Sequence, residues 1–191
     1  MKVKSIAICA VMSALWLVLN VSVVPAIFSL TQMPFACDVV HTVIVFSTAY
    51  ASGNLGIATL SAIIVLLVTL FQRGFASGIY FLGFVVGTLI IDLIMNLTLR
   101  SKKIIGFKHT FIIIEGLSIV FTAISGFFIG LIMAYIQPAL GVRNPLVLQM
   151  GGLFFTVYWT GLHSLGGIIS GPLVFLVLKS IERAGVKFYG G

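Results

Sequence analysis

The chain carries four acidic side chains and three histidines, so any chemistry based on charge or proton transfer has few residues to draw on. Asp38 and His41 lie three apart and share one helix face. Such a pair is either the polar wall of a binding site or a local ion pair at a water interface. Further along, Phe155, Trp159 and His163 follow each other at four-residue spacing, again on one face. An indole beside an imidazole suits a flat heterocycle, through stacking and a hydrogen bond. The competing reading is an interface-belt tryptophan next to a packed histidine. Asp92 with Asn96, and Glu115 beyond them, flank a basic stretch that holds Arg100, Lys102, Lys103 and Lys108. They either pair with those cations or act in partner contact or in proton or ion coupling. Glu182 sits in a basic tail as a solvated group.

Catalysis has little support. The chain has no His-Glu-x-x-His, no Gly-x-Ser-x-Gly and no phosphate-cradling loop. No motif points to a cofactor. Asp38, His41 and His163 could in principle ligate a metal, but no ligand motif frames them, and none is expected. Cys9 and Cys37 fall on opposite faces of the membrane in the topology below and read as small apolar fillers.

Positioning these groups falls to helices in lipid. Hydrophobic residues make up 60% of the 191 and charged residues only 8%, far below the roughly 25% of soluble domains. Water could not cover so much apolar surface, so the expected fold is an all-α integral membrane protein, a compact single-domain bundle of about six transmembrane helices. The apolar runs place them at about 4–24, 37–52, 55–71, 78–99, 110–136 and 161–178. Pro25 is expected to end the first, leaving 25–36 as an extracellular loop. Lys2 and Lys4 before the first run could mimic a signal peptide, but Pro25 and Phe28 fit a cleavage site poorly. The uncharged stretch 146–178 exceeds one span, and its glycines favour an interfacial or re-entrant piece at 146–160 before the last helix.

The net charge of +7 reads as topology rather than nucleic-acid binding. With six spans and an inner N-terminus, Lys2, Lys4, Arg100, Lys102, Lys103, Lys108, Lys179, Arg183 and Lys187 lie inside, against Arg73 and Arg143 outside. The positive-inside rule therefore puts both termini in the cytoplasm of a cell-membrane protein. Asp38, His41, Trp159 and His163 then gather toward the outer face. Tyr80, Gln149, Tyr158, Gln32 and Asn20 fall in the same half and are expected to line the same cavity.

Small residues four apart let helices approach closely in lipid. Gly74 and Gly78, Gly83 and Gly87, Gly126 and Gly130, and Gly167 and Gly171 are such pairs, expected to pack inside the bundle. Ala7, Ala10 and Ala14 form a smooth stripe on the first helix that suits a membrane partner.

The alanine stripe within Ala7–Asn20 (AICAVMSALWLVLN), the glycine-rich last helix with its basic tail, Gly166–Gly185 (GGIISGPLVFLVLKSIERAG), and the six-span length together resemble the substrate-binding S components of energy-coupling factor (ECF) transporters. The resemblance implies tight binding of a vitamin or related micronutrient near the outer face, capped by the loop after the first helix. It also implies docking of Ala10 and Ala14 onto a transmembrane scaffold subunit that carries two cytoplasmic ATPases, with toppling to release the cargo. Two departures bear on the cargo. Lys2 stands where nickel and cobalt members have a histidine, and the fourth helix has Tyr80 and Phe84 where thiamine binders have an outer acid. A self-sufficient carrier coupled through Asp92 and Glu115, or an intramembrane enzyme using His163 and Asp38 as acid and base, are the alternatives.

Overall fold

The computed structural model describes residues 3–31, 33–99 and 107–185. They form an all-α bundle: α1 (Val3–Thr31), α2 (Phe35–Ser52), α3 (Ile57–Arg73), α4 (Phe75–Gly78), a 3-10 turn at Ile79–Phe81, α5 (Leu82–Leu99), α6 (Phe107–Leu131), a π turn at Ile132–Ile136, α7 (Gln137–Ala139), α8 (Pro145–Met150) and α9 (Gly152–Arg183). Five helical segments are long and apolar enough to cross a membrane: α1, α2, α4 with α5, α6 through α7, and α9. The apolar α3, at 17 residues, stands at the lower limit for a span. Leu67, Phe71, Leu97, Ile112, Leu148 and Phe154 are among many large apolar side chains on the outside, a surface suited to lipid and not to water.

Two expectations about helix ends need correction. Pro25 lies inside α1, so the helix runs seven residues past the expected end at Val24, and the anticipated 25–36 loop shrinks to the turn at Met33–Pro34. Proline removes one N–H from the ladder. Unwinding the turn beyond it would strand several backbone groups in an apolar setting, which costs more. One turn before the proline, the Ser22 hydroxyl donates to the Val18 carbonyl at 2.6 Å.

The second concerns 146–178. The chain breaks at Gly151, where φ of +77° permits the reversal between α8 and α9, and α9 then runs unbroken for 32 residues. The separate 146–160 piece is therefore only the six residues of α8. Glycines 166, 167 and 171 do not weaken α9 because they are contact points. A Cβ on Gly166 would strike the Asp38 carboxyl, one on Gly167 the Thr122 hydroxyl and the Ile119 backbone, and one on Gly171 the Glu115 carboxyl. Gly126 and Gly130 of α6 face His163 and Thr156 in the same way, so α6 and α9 pack antiparallel along a continuous glycine seam. Gly83 and Gly87 make the matching seam of α5 against Ile129, Ser125 and Phe121 of α6. At the end of α6 the π turn lies just before Pro138, and Gln137 anchors it by donating to the Ala76 and Ser77 carbonyls at 3.1 and 3.2 Å.

The turn between α2 and α3 forms as expected from its glycines, with Gly53 and Gly56 at positive φ. Its Asn54 donates to the Ser5 hydroxyl at 2.7 Å, which fixes the start of α1 beside the end of α2. Here too lies Asp92. Its Oδ2 accepts from the Gly56 and Thr59 N–H groups and the Thr59 hydroxyl at 2.9, 3.2 and 3.1 Å, and Asn96 donates to Oδ1 at 3.1 Å. The carboxylate caps α3 from another helix, satisfying donors that helix starts leave open. Arg100, Lys102 and Lys103, considered above as its partners, lie outside the described residues, as does the Lys108 side chain.

Candidate functional site

The opposite end of the bundle is built differently. A cavity of about 240 Å³ opens there between α1, α3, α5, α6 and α9. The last turns of α1 form one wall with Asn20, Val24, Pro25 and Phe28, and Pro34 and Cys37 continue it into α2. Across from them stand Tyr80 and Phe84, Ile129 and Met133, and Trp159 and His163. Arg73, the last residue of α3, adds a cation.

The floor is an aromatic stack. Trp159 lies parallel to Phe155 with ring centroids 5.4 Å apart, and meets His163 at 5.6 Å. Phe84 touches both histidines, stacking on His41 at 3.7 Å and meeting His163 edge-on at 6.0 Å. Trp16 of α1 closes the group, edge-on to His41 at 4.7 Å. This sequence spacing works because α9 presents residues 155, 159 and 163 one turn apart on the face that packs into the bundle.

Behind the floor, Asp38 reaches from α2 to His163 of α9, with Oδ1 and Nδ1 2.5 Å apart. Both side chains are buried. The short bond orients the imidazole and, in the neutral ring, places the proton on Nδ1, leaving Nε2 as a lone-pair acceptor on the other side. The carboxylate reaches His163 because Gly166 has no side chain to block it. His41 is held separately, its Nδ1 donating to the Cys37 carbonyl at 2.6 Å. Five polar atoms in this group have no hydrogen-bond partner among the described residues: Trp159 Nε1, His163 Nε2, Trp16 Nε1, His41 Nε2 and Asp38 Oδ2. Buried polar atoms are seldom left so. At the rim, Arg73 Nη1 donates to the Tyr80 hydroxyl at 3.1 Å.

Among the residues singled out in the sequence, Tyr80, Trp159, His163 and Asn20 line the cavity. Asp38 and His41 stand directly behind it, one through His163 and the other through Phe84. Of the two readings of Asp38 and His41, the local pair does not form; Asp38 bonds His163 instead, because α9 packs against that face of α2. Gln149 on α8 and Tyr158 on α9 are exposed and are not in the lining, and Gln32 lies outside the described residues. Sequence reasoning passed over Trp16, which was marked only by its place one turn before Asn20, and read Cys37 as an apolar filler, although it lines the cavity. Arg73 was read as a topology marker, although it falls two residues past an apolar run that ends beside the site. Ala7, Ala10 and Ala14 are exposed on α1, whose inward face carries Ser5, Cys9, Ser13 and Trp16 instead. Compared with protein-family models, with curated proteins and with solved structures, the chain matches none.

Proposed function

We propose that the protein is the membrane-embedded solute-binding subunit of an ECF-type importer for a vitamin or related micronutrient, without ATPase activity of its own. The observation that carries this reading is the cavity at one end of the bundle, into whose aromatic wall two side chains bring unpartnered ring nitrogens, Trp159 Nε1 and His163 Nε2. An apolar pocket with a few convergent polar groups is the usual form of a small-molecule site. Positive-inside placement of the lysines and arginines sets this end outward in the cell membrane. The helical top of α1 then takes the part of a lid, with Phe28 over the cavity.

The exposed face of α1 fits the second half of the proposal. Ala7, Ala10 and Ala14 offer a smooth surface to a transmembrane scaffold subunit, which would bring two cytoplasmic ATPases. For a self-sufficient carrier coupled through Asp92 and Glu115, the Asp92 half is disfavoured, because that carboxylate spends its oxygens holding the start of α3, whereas Glu115 Oε2 has no hydrogen-bond partner among the described residues.

Co-purification from native membranes tests the assembly. Wild-type protein is expected to bring down a scaffold and ATPases, and Ala10→Trp or Ala14→Trp to lose them while remaining folded. Unchanged complexes in both variants would defeat the docking proposal.

A further inference from the structure

The polar groups of the cavity divide by depth and by kind, and the division restricts what fits. Deep in the site, Trp159 Nε1 can only donate, whereas His163 Nε2 accepts when Asp38 holds the proton on Nδ1. Both residues line the cavity, one turn apart on α9 with rings 5.6 Å apart, and a planar ring seated between them would meet both. At the rim stands Arg73. One of its N–H groups is used by the Tyr80 hydroxyl, and no carboxylate among the described residues lies within ion-pair distance of it. A guanidinium has five N–H donors, so the tyrosine fixes its direction and leaves the rest available. Between floor and rim, Phe28, Phe84, Val24 and Ile129 offer apolar walls. At about 240 Å³, the space is smaller than the roughly 300–1,000 Å³ of drug-sized sites.

Resting on the reading of this cavity as a solute site, we infer that its ligand is a small planar heterocycle with a ring N–H and a carbonyl on its buried edge, as in cyclic amides and ureas, and a carboxylate at its outer end. The ring N–H donates to His163 Nε2, and the carbonyl accepts from Trp159 Nε1. The carboxylate meets Arg73 at the rim, where water still reaches it and the cost of desolvation is small. A cationic solute is disfavoured. The acid of the site, Asp38, is already committed to His163 and does not line the cavity, so a positive group would face only Arg73.

Calorimetric titration of the full-length protein in phosphatidylcholine nanodiscs separates these demands with four probes. They are 2-pyridone-5-carboxylate, 5-methyl-2-pyridone, pyridine-3-carboxylate and 3-(aminomethyl)pyridine. The first is expected to bind at least tenfold tighter than the second and the third, and the fourth to bind weakest. Arg73→Gln should remove the lead of the first probe over the second, and Trp159→Phe should reduce its lead over the third. Equal affinities, a preference for the amine, no binding by any probe, or leads left undiminished by both substitutions would overturn the inference. The broader reading fails separately. Should mass spectrometry find a bound solute of another class in the purified protein, only the ligand chemistry is wrong; should it find none, the solute-binding role goes too.

Discussion

Asp38 and Asp92 stand at opposite ends of α2, a helix about 27 Å long at 1.5 Å per residue. Both are fully buried. Asp92 accepts four hydrogen bonds, three of them from the start of α3, and its surroundings are complete. Asp38 makes one bond, to His163, and its Oδ2 stays unpartnered amid other unpartnered ring nitrogens. A carboxylate in an apolar bundle must be compensated. At the Asp92 end the fold itself supplies the compensation. At the Asp38 end it is partial, and a cavity lies beside it. The contrast separates a carboxylate that holds helices together from one that orients a cavity-lining group.

Substitutions at the two ends should therefore differ in what they do to binding. The largest effect is expected from Asp92→Ala, which leaves the N–H groups of α3 buried without an acceptor. It should cost about 3 kcal/mol or more, read as a lower unfolding temperature in detergent, with the solute affinity of the surviving protein unchanged. Gly126→Ala comes next. Its new Cβ would run into the His163 side chain, so about 1–3 kcal/mol of stability is expected to go, together with solute affinity. His163→Ala should depart from the Asp92 pattern at the binding readout, with affinity down about tenfold, equivalent to about 1.4 kcal/mol, although it too lowers stability, because it leaves the buried Asp38 carboxyl without its partner. Asp38→Asn is the mildest. It keeps the shape but loosens the imidazole, so a severalfold loss of affinity is expected with near-normal thermal unfolding. A stability loss at Asp38 as large as that at Asp92 would erase the distinction between the ends.

The sequence was most legible where composition alone decides the outcome. An apolar chain with few charges gives helices in lipid, and small residues four apart on facing helices gave seams where α5, α6 and α9 meet. The spacing of Phe155, Trp159 and His163 likewise placed a stacked face correctly. Local rules failed where burial outweighs them. Pro25 and the glycines of α9 are breakers in water, but lipid penalises an open backbone more than a missing hydrogen bond or a flexible residue. The partners of Asp38 and Asp92 were hidden for another reason. Each lies far away in the chain, at His163 and at Gly56 and Thr59, and helical spacing reports only neighbours within a turn or two. Gln149 illustrates the same limit: a residue near the right membrane depth can still face away from the bundle.

Whether the cavity beside Trp159 and His163 holds a solute decides between a binding subunit and a bundle without cargo. Native mass spectrometry of the protein purified gently from its own membranes answers this most directly, with His163→Ala as the comparison. The prediction is one small molecule bound per chain in the wild type, at clearly lower occupancy in the variant. A wild-type protein that carries no molecule, or a variant that retains the same one at equal occupancy, would contradict it.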